Sequence, residues 1–221
     1  MRSPARRFEP VIAVLLALAA SSSCAVISAT GLPPSLFPAE DNVKNIDFEN
    51  GALHASPEGF EARLGQWFVA DSPTAASGTQ VLVRGGGGAG ELVLKDATGA
   101  TAAGGEVAVR VFLGAPGAGL WCDADRGQGG YLLKLEPDSR RIALYRTSTG
   151  SMTAVDQADA DVPKGEWRRL GIRCQSDGVI GYLDGQPLVK NQGPMPPFDL
   201  ALYADPGVTA QFDDFKYWVL R

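Results

Sequence analysis

The chain predicts an all-β fold, a sandwich of two antiparallel sheets, on three observations. Short runs alternating apolar and polar residues recur from Ile46 onward, separated by clusters of Gly, Pro, Asp and Ser. No segment keeps a helical period for more than two turns. The last third reads Trp167-Arg-Arg-Leu-Gly-Ile-Arg-Cys174, then Val179-Ile-Gly-Tyr-Leu183 running into Asp184-Gly185, then Phe212-Asp-Asp-Phe215. Two alternating strands, a tight turn and an aromatic closing strand suit packed antiparallel sheets.

In chain order, residues 1–23 read as a signal peptide, with Arg2, Arg6 and Arg7 as a basic start and Val11 to Ala20 as an apolar run. That run is too short to span a bilayer comfortably. Ser21-Ser-Ser-Cys24 resembles the end of a bacterial lipoprotein signal, which implies lipidation of Cys24, although Ser21 stands where that family carries an aliphatic residue. An ordinary secretory signal is the alternative. Residues 24–44 hold Pro33, Pro34 and Pro38 without a sustained period and read as a tether, leaving 45–221 as one domain. Within it the strands are expected at 46–49, 67–70, 81–84, 91–95, 107–113, 119–122, 131–135, 141–146, 167–174, 179–183, 200–203 and 212–220.

Composition narrows the function. Acids outnumber bases, 25 to 20, for a net charge of −5; loss of residues 1–23 removes three arginines and one glutamate, giving about −7. Such a chain is a poor nucleic-acid partner. His54 is the only histidine, so neither a histidine metal cluster nor a convincing Ser-His-Asp triad can be assembled. With Cys24 set aside for lipid, Cys122 and Cys174 are an even pair for a disulfide in an oxidising compartment; the alternative is two buried free thiols.

Strand parity sorts the side chains. Leu120, Cys122, Tyr131, Leu133, Leu135, Ile142, Leu144, Leu170, Ile172, Cys174, Val179 and Leu183 are expected between the sheets. Phe212 and Phe215 break the alternation, which predicts a bulge at Asp213-Asp214. The outward set comprises Trp121, Lys134, Tyr145, Arg169, Arg173 and Tyr182, read as one candidate ligand platform on which rings stack against sugars and cations meet hydroxyls or acids. The competing reading packs these rings under loops or against arginine stems.

Asp47-Phe-Glu49, Gly65-Gln-Trp67, Gly119-Leu-Trp121, Gly130-Tyr-Leu132, Glu166-Trp-Arg-Arg-Leu170, Tyr182-Leu-Asp-Gly185, Leu202-Tyr-Ala-Asp205 and Phe212-Asp-Asp-Phe215 follow in an order that resembles the concanavalin A-like (laminin G-like) jelly-roll superfamily. Within it the chain is most similar to the bacterial exported domain of 3-keto-disaccharide hydrolase type. The resemblance implies a jelly roll whose first and last strands pair, an association with carbohydrate, and a structural calcium ion for which Glu49 and Asp214 would be the oxygen donors; no other cofactor or metal is expected. It does not bring a reaction with it.

The residues offer little catalysis. The Glu-x-Asp-x-Glu strand of glycoside hydrolase family 16 is absent. Asp156, Asp159 and Asp161 read as solvated acids on a loop, Asp123-Ala-Asp125-Arg-Gly127 as a turn rather than a calcium loop, and Gly85 to Gly88 as a hairpin loop rather than a phosphate loop. The expectation is therefore an exported module, lipid-anchored to an outer membrane or cell surface, that binds carbohydrate or another envelope polymer without catalysis. Its alternatives are a glycoside-active enzyme and a structural or protein-interaction domain.

Overall fold

The structure is a computed structural model and describes residues 42–113, 117–124, 129–149 and 151–220. The signal segment, Cys24 and the tether up to residue 41 lie outside the described residues, as do Asp125 and Gly127. The strands are β1 (Lys44–Ile46), β2 (Phe60–Leu64), β3 (Gln66–Asp71), β4 (Gln80–Gly85), β5 (Gly90–Leu94), β6 (Ala102–Leu113), β7 (Ala118–Ala124) and β8 (Gly129–Glu136). They continue as β9 (Arg141–Ser148), β10 (Ser151–Asp159), β11 (Arg168–Gln175), β12 (Gly178–Leu183), β13 (Gln186–Gln192), β14 (Asp199–Ala204) and β15 (Thr209–Leu220). Among the described residues the helical pieces are two 3-10 turns, at Lys95–Ala97 and Pro137–Ser139.

The first sheet runs β13-β12-β11-β6-β15-β4-β3 with β1 added on β15, and the second runs β10-β9-β8-β7-β14-β5-β2. Every pairing between these strands is antiparallel, and β1 meets β15, so the first and last strands pair. The core is made where inward side chains of both sheets meet, and all twelve residues expected there are buried in one cluster. Cys122 on β7 and Cys174 on β11 form a disulfide across it, with Cα atoms 6.7 Å apart. The bulge on β15 is present: the register with β6 shifts between Asp213 and Lys216, and Asp214 takes φ 48°. Two residues occupy one step, so Phe212 and Phe215 both face inward.

Three strands escaped the alternation. The short edge strand β2 is bulged between Ala62 and Leu64, β10 buries almost none of its residues, and β13 carries Pro187 on a sheet edge. The Asp-Gly pair at 184–185, with φ 50° and 81°, forms the two-residue turn that joins β12 to β13. Two loop assignments are corrected. Asp156 and Asp159 belong to edge strand β10, where Asp159 is exposed and the half-buried Asp156 accepts from the Lys190 amide of β13 at 2.8 Å. Gly85 to Gly88 joins β4 in one sheet to β5 in the other and is a crossing, not a hairpin.

Candidate functional site

The six outward candidates divide between opposite sides of the sandwich, because parity separates inside from outside but does not say which sheet a strand joins. Trp121, Lys134 and Tyr145 stand on β7, β8 and β9 of the second sheet. Arg169, Arg173 and Tyr182 stand on β11 and β12 of the first, so the single platform expected from sequence is not formed. There Arg169 is buried against Glu106 (3.1 Å) and reaches Asp214 (3.8 Å), Arg173 lies over the Trp218 ring, and Tyr182 is half-buried. A structural ion pair occupies that side.

The second sheet's outer face is richer. Register aligns Leu132, Trp121, Ala201 and Val93 across β8, β7, β14 and β5, and with Tyr203 they form an apolar patch against which Tyr145 packs. Trp121 meets Tyr203 edge-on, with ring centroids 5.3 Å apart at 87°. The indole is only 7% exposed, and its Nε1–H has no hydrogen-bond partner among the described residues.

Charged groups flank this patch. Arg63, carried outward by the β2 bulge, contacts Glu91 (3.3 Å), Asp123 (3.4 Å) and Asp199. Three carboxylates around one guanidinium leave this side acidic. Burial raises the Glu91 pKa, partly offset by Arg63 and by a hydrogen bond shared with Asp123. In the other group, Lys134 Nζ donates to Asp205 (2.9 Å), lies 3.3 Å from Glu136, and sits 4.4 Å from the centre of the Tyr145 ring. Glu136 accepts from Tyr145 Oη and Arg141 Nε, both at 2.6 Å, while Tyr203 Oη donates to Asp205 at 3.0 Å. Burial works against the charge on Glu136, yet these donors and Lys134 hold its pKa below the usual value. Burial and Glu136 together push Tyr145 up to about 12. The tyrosine therefore stays a neutral donor, and the cluster is fixed before any ligand arrives.

Arg63, Glu91, Asp123, Glu136, Asp199, Tyr203 and Asp205 were not foreseen at this site. Tyr203 and Asp205 lay within the Leu202-Tyr-Ala-Asp205 motif, but the other five carry no local signal, since strand order gathers them from across the chain.

The expected calcium donors are otherwise engaged. Glu49 accepts from the amides of Thr79 (2.9 Å) and Gln80 (2.8 Å), and Asp214 accepts from Ser77 Oγ (2.6 Å). Among the described residues no three His, Cys, Asp or Glu side chains are grouped to hold a metal ion.

No protein-family model and no curated protein matches the chain. Solved structures do. The carbohydrate-binding module CBM66 from Bacillus subtilis aligns over 72% of this chain and 94% of its own, at 17% identity and TM-score 0.58. The Crh5 transglycosylase in complex with NAG aligns over 81% and 85%, at 12% identity and TM-score 0.59. The VIP36 exoplasmic/lumenal domain in its Ca2+/Man2-bound form aligns over 82% and 90%, at 13% identity and TM-score 0.55. At such identities the likeness is one of fold, and the fold of this chain is the concanavalin A-like jelly roll.

Proposed function

We propose that the protein is an exported, lipid-anchored jelly-roll module that binds carbohydrate on the outer face of its second sheet. The observation that carries this reading is Trp121: an indole held in the middle of that face with its Nε1–H unpartnered among the described residues, between two fixed polar groups. A buried donor without an acceptor is costly, and a sugar oxygen would satisfy it. The half-buried Tyr145, whose single O–H is given to Glu136, offers ring surface, and the polar ends of Arg63 and Arg141 supply the donors a polyol needs. The acidic excess around Arg63 favours neutral glycans over uronates. Neighbours whose names include a carbohydrate-binding module and a Ca2+/Man2-bound exoplasmic/lumenal domain support the reading by fold. Export and anchoring rest on the signal segment and Cys24.

The test is a glycan array read with the purified protein, with Trp121→Phe and Tyr145→Ala, and with Arg173→Ala on the opposite sheet as control. Trp121→Phe keeps an aromatic ring and deletes the donor together with part of the indole, so its melting temperature is measured alongside. Signal should fall at least about tenfold in the two site variants, the loss of roughly one good hydrogen bond, and persist in Arg173→Ala. Binding that survives both site changes places the ligand elsewhere.

A second reading, a glycoside-active enzyme, is favoured by one observation: Glu91 and Asp123 are both buried beside Arg63, and Glu91 is raised in pKa. Arg63 bridges the two carboxyls, at 3.3 Å and 3.4 Å, rather than leaving them free on either side of a scissile bond. The contact suits a structural pair. Hydrolysis of any arrayed glycan that disappears in Glu91→Gln would reverse that judgement.

A further inference from the structure

Arg84 points into the sandwich rather than away from it. On β4 it shares the inward parity of Leu82 and stands opposite Trp67 of β3, itself a core residue. It is 2% exposed. Its Nη1 donates to the Gly86 carbonyl, but Nε and Nη2 have no partner among the described residues. Those two atoms form one edge of the guanidinium, the edge that takes two oxygens of a carboxylate or phosphate side by side. Burial lowers the Arg84 pKa, and no acidic side chain among the described residues offsets it. A buried cation without a counter-charge is a costly arrangement.

Backbone packs closely against that edge. A Cβ on Gly90 would stand 2.8 Å from Arg84 Nε and 3.0 Å from Trp67 Cζ2, and one on Gly65, which has φ 75°, would stand 3.5 Å from Nε. Glycine at both positions lets the backbone close directly on the guanidinium, so an oxyanion reaches the free donors only when that backbone moves. Over the guanidinium runs the Gly85 to Gly88 crossing, whose residues 86–88 are exposed. Side chains at these three positions would meet nothing within 4 Å, so packing does not demand glycine there. Gly86 takes φ 85°, which favours glycine, and a Cβ on Gly85 would crowd Phe68 at 3.0 Å, whereas Gly87 and Gly88 have no such reason and leave the backbone freer to move. The crossing is tied down through the Gly207 amide, which donates to the Gly87 carbonyl at 3.0 Å.

We propose that Arg84 is an oxyanion receptor: its Nε/Nη2 edge takes two oxygens of a carboxylate or phosphate group, admitted when the Gly85 to Gly88 crossing opens. The site lies at the end of the sandwich where the chain passes between sheets and does not depend on the carbohydrate reading.

The test uses the purified full chain in chloride buffer, with sodium phosphate or sodium acetate added at matched ionic strength, read by thermal melting and titration calorimetry. At least one anion should give a saturable rise in melting temperature of about 3 °C. A response to acetate assigns a carboxylate ligand, and a response confined to phosphate assigns a phosphoryl group. Arg84→Met, which replaces the cation by an apolar chain of similar length, should abolish the response and melt no lower than the parent in chloride alone. Arg84→Lys keeps the charge but loses the two-pronged edge, and should bind the same anion at least about tenfold more weakly. No response in the parent to either anion, or an equal response in Arg84→Met, would overturn the proposal; should Arg84→Met fail to fold, undiminished affinity in Arg84→Lys does so.

Discussion

Trp121 and Asp213 both show a side chain whose outward parity does not expose it. Trp121 is enclosed by the aromatic and aliphatic residues of its own sheet face, so its role follows from one unpartnered N–H more than from ring area. Asp213 sits fully buried on the β15 bulge, its carboxylate accepting from the amides of Ser77 (3.0 Å) and Asp214 (2.8 Å). Burial dominates, the neighbouring Asp214 adds to it, and the pKa is pushed up to about 7 despite those amides. Unfolded, the same carboxyl ionises near its ordinary value of 3.8. Between about pH 4 and 7 the native state keeps a proton that the unfolded chain has released, so this group's contribution is full below pH 4 and is lost as pH rises through 7. Urea unfolding at pH 5 and pH 8 should show a fall in stability in the parent and a smaller one in Asp213→Asn. An equal fall in both would remove Asp213 as its source. None of this is visible in the sequence beyond the bulge itself, since Asp-Asp between two phenylalanines says nothing of the desolvation around it.

At the scale of the strand, the sequence shows most clearly those elements that bury one face. β12 alternates cleanly because its inward residues meet the opposite sheet, whereas β7 is buried on both faces and β10 has little buried surface to write a period with. The disulfide joins β7 of one sheet to β11 of the other across 52 residues of chain, and closing such a loop in the unfolded state is worth about 4 kcal/mol. The double variant Cys122→Ala/Cys174→Ala should lose stability on that order in denaturant titration, with β-sheet circular dichroism retained. A loss below about 1 kcal/mol would mean that hydrophobic contact between the sheets suffices without the cross-link.

For the whole molecule, the arrangement separates three chemistries: an acidic and aromatic face on the second sheet, an ion-paired outer face on the first, and a buried cation at one end between them. A module of this kind acts where its ligand is, and the N-terminal segment bears on that. Cys24→Ser should shift the protein from the membrane fraction to the soluble fraction of an expressing bacterium. Retention in the membrane fraction would show that lipid on Cys24 is not the anchor.

The sequence by itself determined the layered all-β class, the inward residues, the Asp-Gly turn and the β15 bulge, because each is written in parity or turn chemistry over a few consecutive residues, whereas parity does not choose between a Cys122–Cys174 bond and two free thiols until the strands are placed. Only the tertiary structure decided which sheet each outward residue joined. Arg63, Glu91, Asp123 and Asp199 meet because β2, β5, β14 and β7 are neighbours in space, and Arg169 and Trp121 part because β11 and β7 belong to different sheets. Strand order is a long-range property, set by how fifteen short strands close around one core, and no local pattern encodes it.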